Sequence, residues 1–535
     1  MHDSQPAETP VTVRDATISL LRSLGMTTIF GNPGSTELPF FKRWPADFRY
    51  ILGLQEASVV AMADGYAQAT RNAAFVNLHS AIGVGHALGS IFTSYRNQTP
   101  LVISAGQQAR DMLLTEPFLG ATRASEFPRP YIKWSCEPAR AQDVPAALAR
   151  AYYLAMQKPC GPTFVSIPVD DWDREAELIH PRQVSFAFSP DPLMLQQIAD
   201  ALNQSKHPAL IVGPSVDRDG AWNEALELAE RLQASVWASP MSGRSSFPED
   251  HPLFAGFLPP VRNLLAAKLT SYDVVVVLGA PIFTYHVQSE GPFVPEGVRI
   301  FQIIDDPEAT AWAPVGISLL STLRLGLSHL LERVEKSVRP TPAPLVRPAL
   351  PDVLDPIPAS FVLHTIAQVM PENAVIVEEA PSHRNDLHDY LPIRRSNGFY
   401  TGASGGLGYS LPAAVGIALA DPSRRIIGIL GDGSSMYSIQ ALWTAAQHHL
   451  PITFVILNNQ EYAALKSFSR MFNTTEFSGV DLPNINIGMI ARGYSCEALQ
   501  VTKACDLAAA LTQSFSSKGP VVIDVAVDPA VAILY

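Results

Sequence analysis

Short apolar runs of strand length alternate with segments of helical spacing along most of the 535 residues. The runs are bounded by glycine, proline and polar residues, and they are shorter than typical helices. They predict strands at residues 27–30, 50–54, 74–78, 209–212, 236–238, 274–278, 300–304, 425–430 and 452–457. Strands that alternate with amphipathic helices are typical of parallel sheets covered by helices. The pattern therefore predicts an α/β fold.

Two segments interrupt this alternation and predict linkers between domains. Residues 177–192 lose the helical spacing, and residues 338–358 are dense in proline, which removes backbone donors and disfavours helix in the preceding residue. The linkers divide the chain into three similar parts. We therefore expect an N-terminal domain over residues 1–180, a central domain over 190–338 and a C-terminal domain over 356–535, each with its own parallel sheet.

The composition narrows the possible functions. A net charge of −12, without any cluster rich in lysine and arginine, argues against a nucleic-acid partner. The apolar runs are too short to span a bilayer, and the first thirty residues lack the pattern of a secretory signal. The four cysteines have no metal-binding spacing and indicate reduced thiols. We expect a cytoplasmic protein that acts on a small molecule.

The last third of the chain places glycine, carboxylate and amide groups at the ends of two predicted strands. Gly431-Asp432-Gly433 follows the first strand, residues 437–449 have helical spacing, and Asn458-Asn459 ends the second strand. Glycine lets backbone N–H groups approach an anion at a helix N-terminus. Asp432 and Asn459 offer the oxygen ligands that Mg²⁺ prefers. The segment therefore predicts a site for a magnesium diphosphate.

Polar side chains also follow strands elsewhere in the chain. Ser35, Glu56 and His79 lie at or just after the carboxyl ends of three predicted strands, and His286 lies in the loop after the strand at 274–278. Open parallel sheets bind ligands along this edge. Carboxylate, hydroxyl and imidazole groups suit hydrogen bonding and proton transfer there.

Several stretches of the chain resemble the thiamine diphosphate-dependent 2-keto acid decarboxylases, in particular the benzoylformate decarboxylase branch. The 24 residues between Gly433 and Asn458 (434 to 457) match the spacing of the family's diphosphate motif. The longest resembling stretches are FGNPGSTELPF (30–40), YILGLQEASVVAMADGYAQAT (50–70), NLHSAIG (77–83), FPRPYIKWSCEPA (127–139), LGAPIFTYH (278–286), GGLGYSLPAA (405–414) and GDGSSMYSIQALWTAAQ (431–447). The resemblance implies pyrimidine-binding, central and diphosphate-binding domains, with thiamine diphosphate and Mg²⁺ as cofactors.

Carried over residue by residue, the resemblance implies catalytic roles for four side chains. Glu56 resembles the glutamate that hydrogen-bonds the aminopyrimidine ring and so activates the cofactor for attack on the 2-keto carbon. Ser35 resembles the serine that binds the substrate carboxylate. His79 and His286 resemble the histidine pair that handles protons at the carbonyl oxygen and at the enamine carbon.

The resemblance also implies three sets of binding residues. The cofactor-binding positions are Glu56, Ser382, His383, Gly405, Leu407, Gly433, Ser434 and Tyr462. The metal ligands are Asp432, Asn459 and the backbone oxygen of Glu461. The substrate pocket is formed by Ser35, Phe118, Leu119, Thr401, Ala464 and Phe468. Leu407 would lie beneath the bent cofactor, and the carbonyl of Gly405 would accept its 4′-amino group.

The chain departs from the family pattern at several positions. Pro381 replaces a hydroxyl residue near the diphosphate, with Ser382 and His383 close by. Thr401 stands where an aromatic residue is expected, and Phe118 stands where a leucine is expected. These changes reshape an apolar pocket. The expected reaction is the non-oxidative decarboxylation of an aromatic 2-keto acid, benzoylformate to benzaldehyde and CO₂ above all, but the side chain of the keto acid stays open.

Simpler interpretations exist for the single residues. Read alone, Glu56 is a charge at a helix N-terminus, His79 a core histidine, Ser35 an N-cap, and Leu407 and Phe468 core residues.

Two other functions of the protein also stay open. One is a carboligase resembling acetolactate synthase, which uses the same cofactor, and the other is a non-catalytic binding protein of the same fold.

The resemblance finally implies an assembly. The cofactor would lie between the first domain of one chain and the third domain of a partner, so that Glu56 and the Asp432–Asn459 motif meet across an interface. A homo-oligomer, a dimer of dimers in the family, is therefore expected. The resemblance also implies a place in the mandelate pathway.

Overall fold

The computed structural model describes residues 11–474, 478–530 and 534. These residues contain three six-stranded parallel sheets and one two-stranded antiparallel ribbon. The expected α/β fold with three parallel sheets is confirmed, while the domain boundaries at 1–180, 190–338 and 356–535 stay a prediction. By its internal contacts the chain forms two compact units, whose described residues are 11–185, 404–422 and 437–450 in the first unit, and 186–403, 423–436, 451–474, 478–530 and 534 in the second.

The first sheet belongs to the first unit, and its strand order is β3-β2-β4-β5-β7-β6. The strands of this region are β1 (Val11–Thr12), β2 (Thr28–Gly31), β3 (Arg49–Leu52), β4 (Ala74–Leu78), β5 (Leu101–Gln107), β6 (Trp134–Cys136), β7 (Pro162–Pro168) and β8 (Glu175–Ala176). The helices are α1 (Val13–Ser23), α2 (Glu56–Thr70), α3 (Ser80–Asn97) and α4 (Val144–Met156). Short 3₁₀ helices cover Ser35–Phe41, Leu113–Thr115, Ala124–Glu126, Ala141–Asp143 and Val169–Asp171. The ribbon pairs β1 with β8.

The second sheet belongs to the second unit, and its strand order is β11-β10-β9-β12-β13-β14. The strands are β9 (Pro208–Val212), β10 (Ser235–Ala238), β11 (Phe254–Phe257), β12 (Val274–Leu278), β13 (Arg299–Ile304) and β14 (Ile317–Leu320). The helices are α5 (Pro192–Gln204), α6 (Pro214–Arg218), α7 (Trp222–Leu232), α8 (Arg262–Leu269), α9 (Pro307–Ala311) and α10 (Leu323–Leu331). Both faces of the sheet are buried in apolar clusters, which explains why β12 is an unbroken apolar run.

The strands of the third sheet also belong to the second unit, in the order β16-β15-β17-β18-β20-β19. They are β15 (Val375–Glu379), β16 (Phe399–Thr401), β17 (Ile426–Gly431), β18 (Ile452–Asn458), β19 (Glu497–Val501) and β20 (Val521–Ala526). The helices of this part of the chain are α11 (Ala359–Val369), α12 (Arg384–Tyr390), α13 (Ser410–Ala420), α14 (Asp432–Met436), α15 (Ala441–Gln447), α16 (Ala463–Met471), α17 (Ile487–Gly493) and α18 (Ala504–Ser516), and a 3₁₀ helix covers Pro381–His383.

All nine predicted strands are found, each within two residues of its predicted limits.

The prediction of a single helix over 437–449 is wrong. A short helix, α14, begins directly at Asp432, residues 437–440 form a turn, and α15 begins only at Ala441. The backbone N–H groups of Ala441 and Leu442 bond three residues back, at 3.0 and 3.1 Å, and so close the turn. The apolar spacing therefore belongs partly to a turn and partly to a helix.

None of the helices in the described residues is both long enough and apolar enough to cross a bilayer.

Helices α2 and α13 pack against each other at backbone distance within the first unit. A Cβ atom added to Gly65 of α2 would lie 2.3 Å from the carbonyl oxygen of Ala413, and one added to Gly416 of α13 would lie 1.9 Å from that of Met62. No side chain fits at such distances, so glycine at both positions sets how closely the helices approach. Helix α13 is buried over ten of its eleven residues, which is typical of a helix apolar on every side.

Gly416→Ala is expected to lower the midpoint of thermal unfolding by several degrees. The new methyl group must push α2 and α13 apart, and overpacking of this kind costs about 3 kcal/mol. Gly493→Ala is the matched control, because a Cβ atom at Gly493 would meet nothing within 4 Å. Equal unfolding midpoints for the two variants, measured by circular dichroism, would show that the close helix contact is dispensable.

Candidate active site

A buried carboxylate anchors the imidazole of His79 in the first unit. His79 lies between the end of β4 and the start of α3, and its Nδ1 is 2.9 Å from Oε2 of Glu37. Glu37 lies in the 3₁₀ helix that follows β2. Because β2 and β4 are neighbouring parallel strands, the segments that follow them emerge at the same edge of the sheet.

Every oxygen of the Glu37 carboxylate is occupied by donors. The side chain is 2 % exposed. Oε2 accepts the N–H of Gly34 at 2.8 Å, while Oε1 accepts the N–H of Gly106 at 2.9 Å and the hydroxyl of Thr36 at 2.7 Å. A carboxylate that only accepts leaves the hydrogen of this contact on Nδ1 of His79. Nε2 of His79 is therefore left free to exchange a proton with a ligand.

Ser35 does not cap the helix, so the N-cap interpretation is wrong. The N-cap residue is Gly34, whose N–H donates to Oε2 of Glu37, and Ser35 is the first residue of the helix. Ser35 is exposed, one residue beyond Gly34. Ser35 is therefore accessible to a ligand, two residues before the glutamate that holds His79.

The loop that carries two predicted pocket residues is fixed next to His79. The hydroxyl of Ser80, the first residue of α3, donates to the carbonyl of Leu119 at 2.5 Å. The amide of Gln108 donates to the carbonyl of Phe118 at 2.9 Å. Phe118 is 87 % exposed, which leaves its whole ring available for contact with another group.

Glu56 is the first residue of α2 and is 8 % exposed. Its Oε1 is 3.4 Å from Nδ2 of Asn32, and its Oε2 is 3.1 Å from Nδ1 of His86 on α3. The helix N-terminus favours the negative charge. Glu56 and His79 are therefore both held at the carboxyl edge of the first sheet.

The segment with Gly405 and Leu407 is anchored at both ends within the same unit. At its start, the hydroxyl of Ser404 lies 2.8 Å from that of Thr93. At its end, the hydroxyl of Tyr409 donates to Oδ1 of Asp64 at 2.7 Å. Gly405 has φ +72° and is exposed.

Asp64 is the central group of this second anchor. Burial raises the pKa of its carboxyl, while the amide of Gln68 and the hydroxyl of Tyr409 act in the opposite direction. The amide of Asn97 also donates to it, at 3.2 Å. Asp64 thus joins α2, α3 and the segment before α13.

In the second unit, the Gly431-Asp432-Gly433 and Asn458-Asn459 segments come together. Strands β17 and β18 pair in parallel with Gly431 opposite Leu457, so both segments leave the same edge of the sheet. Burial raises the pKa of the Asp432 carboxyl to about 6, against the lowering effect of the backbone N–H groups of Gly433 and Gln460. The charged carboxylate is therefore short of favourable partners.

The residues after β18 close around Gly433. A Cβ atom added to Gly433 would lie 2.5 Å from the ring of Tyr462. The carboxamide of Asn459 accepts the N–H of Glu461 at 3.2 Å, and the side chain of Glu461 pairs with Lys466. These contacts hold Asp432, Asn459 and the backbone of Glu461 on neighbouring segments of one unit.

Two further predicted cofactor residues follow β15. His383 is buried, and among the described residues neither ring nitrogen has a hydrogen-bond partner, although Asp386 lies 3.6 Å from Nδ1. Ser382 precedes it in the 3₁₀ helix and is half-buried. Ser434 is buried in α14. Unsatisfied buried polar atoms are rare in folded proteins and point to a ligand.

His286 and Phe468 are in contact in the second unit. Their ring centroids are 5.2 Å apart at an angle of 81°, and His286 is exposed. Ala464 lies one helical turn before Phe468 on α16. Thr401 is buried at the end of β16, where its N–H bonds to the carbonyl of Gly243 at 3.1 Å. The loop after β12 and helix α16 therefore meet, although they are far apart in sequence.

The predicted site residues thus form two groups, each described by itself. Those in the first unit are Ser35, Glu56, His79, Phe118, Leu119, Gly405 and Leu407. Those in the second unit are His286, Ser382, His383, Thr401, Asp432, Gly433, Ser434, Asn459, Glu461, Tyr462, Ala464 and Phe468. Their roles stay predictions.

Comparisons with known proteins agree along most of the chain. The family models of thiamine pyrophosphate enzymes match at residues 11–124 (N-terminal TPP binding domain), 195–330 (central domain) and 380–525 (C-terminal TPP binding domain). The benzoylformate decarboxylase of Pseudomonas aeruginosa is 43 % identical over 519 residues, which are 96 % of this chain and 98 % of that protein. The chain belongs to the benzoylformate decarboxylase family of thiamine pyrophosphate enzymes.

Solved structures of this family superpose on the chain. The crystal structure of benzoylformate decarboxylase from Polynucleobacter necessarius has a TM-score of 0.96 and 41 % identity, and the match covers 97 % of this chain and 99 % of that one. The 4-hydroxybenzoylformate decarboxylase of Rhodococcus jostii RHA1 has a TM-score of 0.93 and 38 % identity, with coverage of 97 % and 100 %. The family resemblance inferred from the sequence is confirmed.

Two residues beside the predicted catalytic groups were missed by the sequence analysis. Glu37 stands three residues after Gly34, a spacing that predicts a capping box and so could have suggested its contact with the Gly34 N–H. Its contact with His79 joins residues 42 positions apart. The sequence carries no local signal for the contact between His86 and Glu56, because it depends on the packing of α3 against α2.

Glu37→Gln is expected to lower turnover of this benzoylformate decarboxylase family member by at least about tenfold, because a glutamine cannot hold Nδ1 of His79 while accepting both backbone N–H groups. Cofactor affinity should stay unchanged. Glu177→Gln, the same change at an exposed position, is the control. Steady-state kinetics with calorimetric cofactor binding test this, and equal turnover in Glu37→Gln and wild type would contradict it.

Proposed function

We propose that this protein is a thiamine diphosphate- and Mg²⁺-dependent decarboxylase that converts an aromatic 2-keto acid, benzoylformate above all, to the aldehyde and CO₂. The observation that carries the proposal is the imidazole of His79, which Glu37 fixes in one orientation within the same unit as Glu56. A decarboxylase must move protons at a defined atom, and a fixed imidazole does this near neutral pH. The names of the relatives support the substrate class.

The residues after β17 and β18 fit a magnesium diphosphate. Asp432 is a buried carboxylate whose pKa is raised by burial to about 6, and a cation would relieve that cost. Among the described residues no group of three or more His, Cys, Asp and Glu side chains could hold a metal ion. The proposed set is of another kind, because it comprises Asp432, Asn459 and a backbone oxygen of Glu461. Mg²⁺ usually completes such a set with phosphate and water.

The diphosphate itself would be held by the start of α14 and by the 3₁₀ helix after β15. Helix α14 begins at Asp432, and a helix N-terminus favours an anion. Ser434 lies on that helix, and Ser382 and His383 lie in the 3₁₀ helix after β15. His383, whose ring nitrogens have no hydrogen-bond partner among the described residues, is suited to donate to a phosphate oxygen.

Bound thiamine diphosphate would supply a nucleophilic carbon for the keto group and a sink for the electrons released with CO₂. Glu56 hydrogen-bonds the aminopyrimidine nitrogen and shares a proton with it, which a carboxylate does well in a water-poor site. Leu407 would support the cofactor from below, and the carbonyl of Gly405 would accept a hydrogen bond from its 4′-amino group. Together these residues activate the cofactor.

The chain's other residues act on the keto acid. Ser35 donates its exposed hydroxyl to the substrate carboxylate. In its imidazolium form, His79 would keep the Nδ1–H on Glu37 and donate the Nε2–H to the carbonyl oxygen. His286 would supply the proton that takes the place of CO₂ on the keto carbon. Phe468, against which His286 packs, offers a ring face to an aromatic side chain. Phe118, Leu119, Thr401 and Ala464 complete the apolar lining.

We also propose a cytoplasmic homo-oligomer in which a partner subunit completes each site. The four cysteines, all within the described residues, form no disulfide, which supports a reducing compartment. Benzoylformate is the keto acid that oxidation of mandelate gives, so a place in mandelate breakdown follows from the proposed substrate.

Product analysis tests the function directly. The purified protein is incubated with thiamine diphosphate, Mg²⁺ and either benzoylformate or pyruvate, and CO₂ and the organic products are measured. We expect benzaldehyde in equal amount to CO₂ from benzoylformate. Acetolactate or an acyloin as the main product would instead support the carboligase, and failure to bind the cofactor would support a binding protein.

Glu56→Gln is expected to keep cofactor binding and to lose turnover by about 10²-fold or more, because the amide cannot share a proton with the ring nitrogen. Glu177→Gln, at an exposed position, is the control. Turnover is measured with benzoylformate and binding by calorimetry. Near-normal turnover would remove Glu56 from the proposed mechanism.

Asp432→Asn separates metal binding from folding. Without Mg²⁺ and cofactor, the variant should unfold at the same or a higher temperature, since it removes a carboxylate that burial destabilises. Adding both ligands should raise the unfolding temperature of the wild type and of the exposed control Asp352→Asn, but not that of Asp432→Asn. Equal stabilisation of all three proteins would exclude Asp432 as a ligand.

A further inference from the structure

Helix α3 brings two imidazoles to two carboxylates. His79 precedes its first residue and His86 lies seven positions further on, which places both on the same side of the helix. His79 contacts Glu37, and His86 contacts Glu56 in the same way, through Nδ1 at 3.1 Å. The second pair has no assigned role in the proposed mechanism.

The two oxygens of Glu56 have different surroundings. Oε2 meets Nδ1 of His86 at 3.1 Å, a normal hydrogen-bond length, whereas Oε1 meets the amide of Asn32 only at 3.4 Å. A Cβ atom added to Gly83 of α3 would lie 3.5 Å from Oε1, so the helix backbone runs beside this oxygen without covering it with a side chain. Oε2 is therefore occupied, and Oε1 is the oxygen still available to a ligand.

The difference matters because of what Glu56 must do. To share a proton with a ring nitrogen, one carboxylate oxygen has to point at that nitrogen along a hydrogen-bond direction. A carboxylate held at one oxygen cannot rotate freely about its last bond. The side chain of His86 is 58 % exposed, so it reaches Glu56 from the open side and not from the core.

We propose that His86 is a positioning residue for Glu56. Its Nδ1–H donates to Oε2 and so presents Oε1 to the aminopyrimidine nitrogen of the cofactor. His86 itself gives up and takes no proton in the reaction. The proposal rests on the proposed function, in which Glu56 activates thiamine diphosphate.

Three substitutions of His86 separate donation from bulk. Leucine removes the donor and keeps an apolar side chain of similar size. Asparagine restores a donor, because its Nδ2 is the same number of bonds from the backbone as Nδ1 of histidine. Glutamine places its donor one bond further out, where Nε2 of histidine stands. His364→Leu, which removes a half-buried histidine of the other unit, is the control.

The main readout is the rate at which the reactive hydrogen of the bound cofactor exchanges with deuterium, followed by NMR after acid quenching. This rate reports the activation by Glu56 before any substrate enters. Cofactor affinity is measured in parallel by calorimetry, with thiamine diphosphate and Mg²⁺ as the probe. Turnover of benzoylformate is the third measurement.

We expect His86→Leu to bind the cofactor like the wild type but to exchange at least about tenfold more slowly, the effect of losing one hydrogen bond to a charged group. His86→Asn should recover most of the exchange rate, and His86→Gln should recover less. His364→Leu should match the wild type. In each variant, turnover should fall in proportion to exchange.

The proposal is overturned if His86→Leu exchanges at the wild-type rate, or if His86→Asn is as slow as His86→Leu. Should His86→Leu fail to fold, the comparison of His86→Asn with His86→Gln decides, and equal rates for these two overturn it. Normal exchange in Glu56→Gln would mean that the proposed function of Glu56 is wrong. A slow Glu56→Gln together with an unaffected His86→Leu rejects the positioning role alone.

Discussion

A carboxylate buried at the end of a parallel strand must be matched by donors or by a cation, and the predicted site depends on this constraint. Removing an ionised group from water is costly unless hydrogen bonds or opposite charge replace the solvent. Glu37, Glu56 and Asp432 all lie where a strand has just ended, and all three are largely buried. How each carboxylate is matched decides what it can do.

The three carboxylates differ in how completely they are satisfied. Glu37 has four partners and no capacity left, so it acts as a fixed support for His79. Glu56 has one close partner and one oxygen with only a long contact, which leaves it able to engage a ligand. Asp432 has backbone donors, but burial outweighs them and raises its pKa to about 6. The three carboxylates therefore differ in their remaining hydrogen-bonding capacity because of the tertiary contacts around each of them.

Much of this arrangement follows from the sequence. Each of the nine strands predicted from an apolar run is present in the structure. These runs are recognisable because a strand that is buried on both faces consists almost entirely of apolar residues. Asp432 and Asn459 are separated by the length of one β–α–β connection. Their proximity could therefore be predicted from one continuous stretch of the sequence. The contacts of His79 with Glu37 and of Glu56 with His86 could not be predicted, since each joins segments that only tertiary packing brings together. The prediction of a helix over 437–449 was wrong because a turn can have the same apolar spacing as a helix.

The close contact between α2 and α13 has a consequence for how such a chain can be divided. Helix α13 follows the proline-dense segment at residues 338–358, yet it packs against α2 and belongs to the same compact unit as the first sheet. A C-terminal fragment that begins at that segment would expose the apolar surface of α13 to water, and we expect it to aggregate. A chimaera that takes its C-terminal third from a relative therefore needs an α2 whose surface fits the new α13. The two helices have to be exchanged together, although they lie in different thirds of the sequence.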